Sequence, residues 1–156
     1  MTTIAIKDGF ICADSLTTFG HERSMQPAEK LVVGSSAVYA ISGLASIGAE
    51  LVKWHEAGAD PKQMPVIGSG EKWALLVAKR EGVFLYQVDA PYPFQVRPPF
   101  GIGSGAEFAM GAMMAGASAE RAVEIACRLS TNSGLPVQVI NISEALGLEP
   151  IREAAE

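Results

Sequence analysis

The residue in this 156-residue chain best equipped for chemistry stands second, in Met1-Thr2. Initiator methionine is generally removed when the next residue is small, which would leave Thr2 with a free α-amino group. Such a residue carries a nucleophile and a base together: Oγ attacks an amide carbon while the amine takes the proton, directly or through a water. An α-amino group titrates at roughly 7.7–8.0, so it needs little tuning. Taken alone, a Met-Thr start is also an ordinary strand start. Other reactive types are scattered. Cys12 and Cys127 form no CxxC and read as buried free thiols of a reducing compartment. No local motif supports a Cys–His pair, and the isolated His21 and His55 make no metal site. The run Gly101-Ile102-Gly103-Ser104-Gly105 precedes a helical stretch, where anions dock. It lacks the last Gly of GxGxxG and the ending of a P-loop, so a nucleotide site is not indicated.

The elements that must position these residues follow from periodicity. Residues 2–6 form an apolar β-branched strand, Asp8-Gly9 a hairpin turn, and residues 10–13 the return strand. Residues 30–33 and 37–41 make a second pair. Leu44, Ile47, Leu51, Trp54 and His55 then fall at helical spacing, with Gly58 as a stop. A Pro- and Gly-rich loop over 60–71 leads to a third hairpin, 72–78 and 82–88. Pro91, Pro93, Pro98 and Pro99 restrict the next stretch to loop or edge strand. Residues 106–115 form a helix of Ala, Met and Gly, and Ser118 is placed to cap another. Residues 136–142 are a last strand, and 143–156 a short helical tail. Strands grouped in hairpins give mainly antiparallel sheets, an α+β class, in a single domain over 1–156.

Composition narrows the partners. Hydrophobic residues make up 49% and charged residues 19%, as in a globular chain. The net charge of −5, without a Lys/Arg cluster, argues against nucleic-acid binding. No apolar run is long enough for a membrane helix, and no secretory signal is seen, so a cytoplasmic protein without membrane contact is expected.

Several segments share their order with one family. Thr2-Thr3-Ile4-Ala5-Ile6, followed by Ile11-Cys12-Ala13-Asp14, resembles the opening of proteasome β subunits and the bacterial HslV peptidase. Ala28-Glu29-Lys30-Leu31 resembles the segment that bears the family's catalytic lysine. Ser42-Gly43-Leu44-Ala45 resembles its turn into a helix. Gly103-Ser104-Gly105 with Phe108-Ala109, and Ser133-Gly134-Leu135-Pro136-Val137, resemble two later segments. The resemblance runs from Thr2 to about Ile142 and is that of a small bacterial or prophage proteasome homologue.

The resemblance implies a four-layer αββα sandwich, the N-terminal nucleophile hydrolase fold. It implies a threonine-type endopeptidase that cleaves peptides or unfolded proteins inside a homo-oligomeric double ring of twelve or fourteen subunits, with no cofactor. Its implied catalytic set is Thr2, Asp14, Lys30, Gly43, Ser104 and Ser133. Lys30 would favour the developing alkoxide, Asp14 would hold Lys30, the Gly43 N–H would face the oxyanion, and Ser104 and Ser133 would orient the amine. Without the resemblance, Asp14 and Lys30 read as a surface ion pair. Where the family carries an aspartate, this chain has Ser130, a neutral hydroxyl. Two alternatives therefore stay open: an amidohydrolase on a small amide, and a catalytically silent ring or scaffold protein. Whether an ATP-dependent unfoldase docks is also open.

Overall fold

The Asp8-Gly9 turn sets the first hairpin: φ is +51° at Asp8 and +79° at Gly9, the left-handed pair that matches the twist of two antiparallel strands. In the computed structural model, which describes residues 2–66, 70, 72–88 and 90–149, this turn joins β1 (Thr3–Lys7) to β2 (Phe10–Ala13). A small exposed hairpin follows, β3 (Thr18–Phe19) and β4 (Glu22–Arg23), then β5 (Leu31–Val33) and β6 (Ala37–Ser42). Helix α1 spans Ala45–Glu56, with Lys53 and His55 in its last turn, where cations suit the helix dipole. A 3-10 turn at Pro61–Gln63 lies in the expected loop, of which 67–69 and 71 are outside the described residues.

Next come β7 (Ala74–Lys79), β8 (Gly82–Gln87), β9 (Ala90–Val96) and β10 (Phe100–Gly103). Helices α2 (Ala106–Met114) and α3 (Ala119–Leu129) follow, then β11 (Gln138–Asn141) and the short α4 (Ile142–Leu146). Ser118 caps α3, its side chain accepting from the Arg121 N–H at 3.1 Å. Of the expected tail, α4 and the residues to 149 are described, and 150–156 lie outside.

Two antiparallel sheets result, ordered β10-β1-β2-β11 and β5-β6-β7-β8-β9. Their side chains alternate with period two. Ile4, Ile6, Ile11 and Ala13 of the first sheet meet Val38, Ala40, Leu76 and Leu85 of the second. On the outer face of the second sheet, Tyr39, Ile41, Leu75 and Val77 pack on Ile47, Leu51 and Trp54 of α1. On the outer face of the first, Ala5 and Cys12 pack on Ala109, Met113, Ala122 and Val123 of α2 and α3. The order of layers is helix, sheet, sheet, helix. This is the αββα sandwich expected, with antiparallel sheets.

The proline-rich stretch became β9, an edge strand, where a missing N–H costs no ladder bond. The glycine run became edge strand β10, with Gly101 opposite Ala5 and Gly103 opposite Thr3. Its backbone pairs with β1, so its glycines do not form an anion loop. Among the described residues no helix is long and apolar enough to cross a membrane.

Candidate active site

Asp14 leaves the end of β2 fully buried, and four donors converge on it. Oδ1 accepts from the Thr3 backbone N–H at 2.9 Å and from Lys30 Nζ at 2.8 Å; Oδ2 accepts from the Leu16 and Gly134 backbone N–H groups, both at 3.1 Å. That fills the lone-pair capacity of a carboxylate. The Asp14–Lys30 pair is therefore not a surface ion pair. Lys30 is 8% exposed, and burial pulls its ammonium below the usual lysine range, an effect the Asp14 carboxylate opposes. A buried pair of this kind is weak evidence for stability and better evidence for a positioned charge.

Beside this pair lies the start of β1. Thr2 is 2% exposed and Thr3 fully buried. The Thr3 carbonyl accepts from the Asp14 N–H at 3.1 Å. Thr3 Oγ1 lies 2.6 Å from Ser133 Oγ, which is 1% exposed. Ser133 thus bonds to the residue after Thr2. Ser104 Oγ donates to the Thr2 carbonyl at 3.4 Å. The glycines around Ser104 explain how it comes so close. A Cβ on Gly103, where φ is +95°, would overlap the Thr2 carbonyl, and a Cβ on Gly105 would overlap Thr3 Oγ1.

Gly43 stands between β6 and α1 at φ +134°, and an added Cβ would press on Trp73. The Ile41 N–H donates to the Lys30 carbonyl at 3.1 Å, which places the end of β6, and hence the Gly43 turn, beside Lys30. The structure so gathers Thr2, Asp14, Lys30 and Ser133 with Ser104 at one end of the sandwich. Ser130 ends α3, where its Oγ accepts from the Asn132 N–H at 3.2 Å. Its hydroxyl closes a local turn.

Gln138 escaped the sequence reading. The two N–H groups of its Nε2 are shared among the Ala28 carbonyl (2.5 Å), Ser15 Oγ (3.0 Å) and the Asp14 carbonyl (3.2 Å), while Oε1 accepts from the Lys30 N–H at 3.0 Å. The one signal was a polar residue inside the apolar run Val137-Gln138-Val139-Ile140. Burial favours the neutral form of both thiols. Burial pushes Cys12 up to about 12 and Cys127, which is only half-buried, up to about 11. His55 lies on the opposite helix layer, hydrogen-bonded to Tyr39, and His21 is exposed.

No protein-family model matches the chain, and no curated protein matches it in sequence. Solved structures do match. The chain is similar to Thiobacillus denitrificans BPH in complex with epoxomicin, at 24% identity, with a TM-score of 0.66 over 89% of this chain and 96% of that one. It is also similar to eukaryotic HslV from Trypanosoma brucei, at 19% identity, with a TM-score of 0.65 over 90% and 99% of the two chains. At these identities the likeness establishes the fold. The chain has the four-layer αββα fold of these structures, as its order of layers indicates.

Proposed function

We propose that this chain is a threonine-type endopeptidase that works, after loss of Met1, within a closed ring of its own copies. The observation that supports the reading most is the convergence of the Thr2-Thr3 strand start on a buried Asp14–Lys30 pair, in the fold shared with HslV. In this mechanism the Thr2 amine takes the Oγ proton as Oγ attacks the scissile carbonyl carbon. The carbonyl electron pair moves to oxygen, and the Gly43 N–H donates to that oxyanion. Lys30 stabilises the developing alkoxide. The tetrahedral intermediate collapses, the C–N bond breaks, and the Thr2 ammonium returns its proton to the leaving amine. Water, activated by the same amine, then hydrolyses the ester. Asp14 holds Lys30, Ser133 holds Thr3, and Ser104 holds the Thr2 carbonyl. The substrate is a peptide or an unfolded protein, and the site is cytoplasmic.

Ser130 favours a second reading, a silent ring or scaffold protein, since the carboxylate expected there is missing. Epoxomicin, which the Thiobacillus denitrificans BPH holds, is a fitting probe. Met1-free protein should retain it and cleave a fluorogenic peptide, and Thr2→Ala should do neither. Met1-free wild type that is folded, assembled and inert on both counts would establish the scaffold reading instead.

A further inference from the structure

We infer that Gln138 is a positioning residue, the clamp that holds the Lys30 backbone against the Asp14 strand. The inference rests on the role given to Lys30 above. Gln138 opens β11 opposite Ala13, the neighbour of Asp14. Lys30 precedes β5, which belongs to the other sheet. Between Asp14 and Lys30 the chain runs out through the exposed β3–β4 hairpin, so covalent connection does little to fix one against the other. The Gln138 side chain spans that gap. Oε1 accepts the Lys30 N–H at 3.0 Å, and Nε2 faces Ala28 O, Ser15 Oγ and Asp14 O within 3.2 Å.

The amide orientation is fixed by these partners: a flipped amide would aim its oxygen at two carbonyl oxygens and its NH2 at a backbone N–H. Ser15 Oγ spends its own proton on the Pro136 carbonyl at 2.6 Å, so it must accept from Gln138. One amide thus joins β2, β11 and the Lys30 segment. Asp14 supplies the ion pair at Lys30 Nζ, and Gln138 holds the backbone from which that side chain extends. No isosteric side chain offers both an acceptor for Lys30 N–H and donors for Ala28 O and Asp14 O. A carboxylate keeps the first and loses the second unless it is protonated.

The test uses Met1-free protein with Gln138→Leu and Gln138→Glu, a fluorogenic peptide, and NMR titration of the Lys30 ammonium in protein with 13C-labelled lysines. In Gln138→Leu, kcat should fall about tenfold or more, since small displacements of a catalytic group are costly, while KM stays within about twofold. The Lys30 pKa should drop by about one unit as its carboxylate partner drifts. In Gln138→Glu, the rate relative to wild type should climb as pH is lowered, because a protonated carboxyl regains one donor. All rates are read well below the melting transition, so a merely structural role would leave kcat and the Lys30 titration unchanged. Unchanged values in a folded Gln138→Leu overturn the inference; if that variant does not fold, a pH-independent Gln138→Glu ratio overturns it. If wild type cleaves nothing, the hydrolase reading fails on its own, and the Lys30 titration in the variants still decides the role of Gln138.

Discussion

At the scale of residues, the site is a set of charges and hydroxyls whose partners are already arranged. Asp14 and Lys30 lie 2.8 Å apart out of solvent, and removing one partner strands the other. Lys30→Ala should therefore lower peptide hydrolysis by about a hundredfold or more, as expected when the cation beside a developing alkoxide is lost. Thr2→Ser should keep measurable turnover, because hydroxyl and amine both survive; turnover equal to that of Thr2→Ala would reject the assigned nucleophile. Ser130 offers a gain-of-function test. If its neutral hydroxyl limits the reaction, Ser130→Asp should raise kcat by about tenfold, some 1.4 kcal/mol of transition-state stabilisation. An assembled variant with unchanged or lower turnover would remove Ser130 from the account. The segments carrying Thr2, Asp14 and Lys30, which the structure brings together, could be picked out in the sequence because their neighbours carry a recognisable order. Gln138 was not, because its role comes from partners more than a hundred residues away, which no local pattern encodes.

At the scale of elements, close backbone approach does much of the positioning. The expected outcome of Gly105→Ala is a loss of about 1–3 kcal/mol with lowered activity, because the new methyl meets Thr3 Oγ1 and the Ala126 methyl. Urea denaturation would measure it, and an unchanged midpoint would show that α2 shifts freely. The hairpins β1–β2, β5–β6 and β7–β8 and the three longer helices announce themselves through turn residues and apolar period. By contrast, the prolines of β9 and the glycines of β10 mask strands that are held by their neighbours. The two-residue strands of β3–β4 are too short and exposed to give a pattern. On the other helix layer, Tyr39 Oη donates to Glu56 Oε1 at 2.7 Å, and having one proton it must accept from His55 Nδ1–H at 2.7 Å. Burial and then nearby Lys79 hold the His55 pKa below its ordinary value, opposed by Glu56. Below about pH 6.5 the unfolded chain then binds more protons than the folded one, so stability falls as pH falls through the folded pKa. The decline in Tm from about pH 7 to about pH 5 should be shallower in His55→Gln. An equal slope in both proteins would show that other groups set it.

At the scale of the whole molecule, the sandwich leaves large apolar side chains outside its layers. Phe19, Met25, Tyr92 and Met114 are each at least 72% exposed. Such surface suits a protein that buries it against copies of itself. Analytical ultracentrifugation at micromolar concentration should show a closed assembly of twelve or fourteen subunits, and a stable monomer or dimer would contradict the ring.

The central claim is that catalysis needs the amine of Thr2, which exists only when nothing precedes it. The direct measurement compares two preparations of the same assembled protein on one fluorogenic peptide: one shown by intact mass to begin at Thr2, the other carrying an added residue ahead of it. The account predicts turnover in the first and none in the second, because an amide nitrogen cannot accept the Oγ proton. Equal cleavage by both would contradict it and require a different nucleophile.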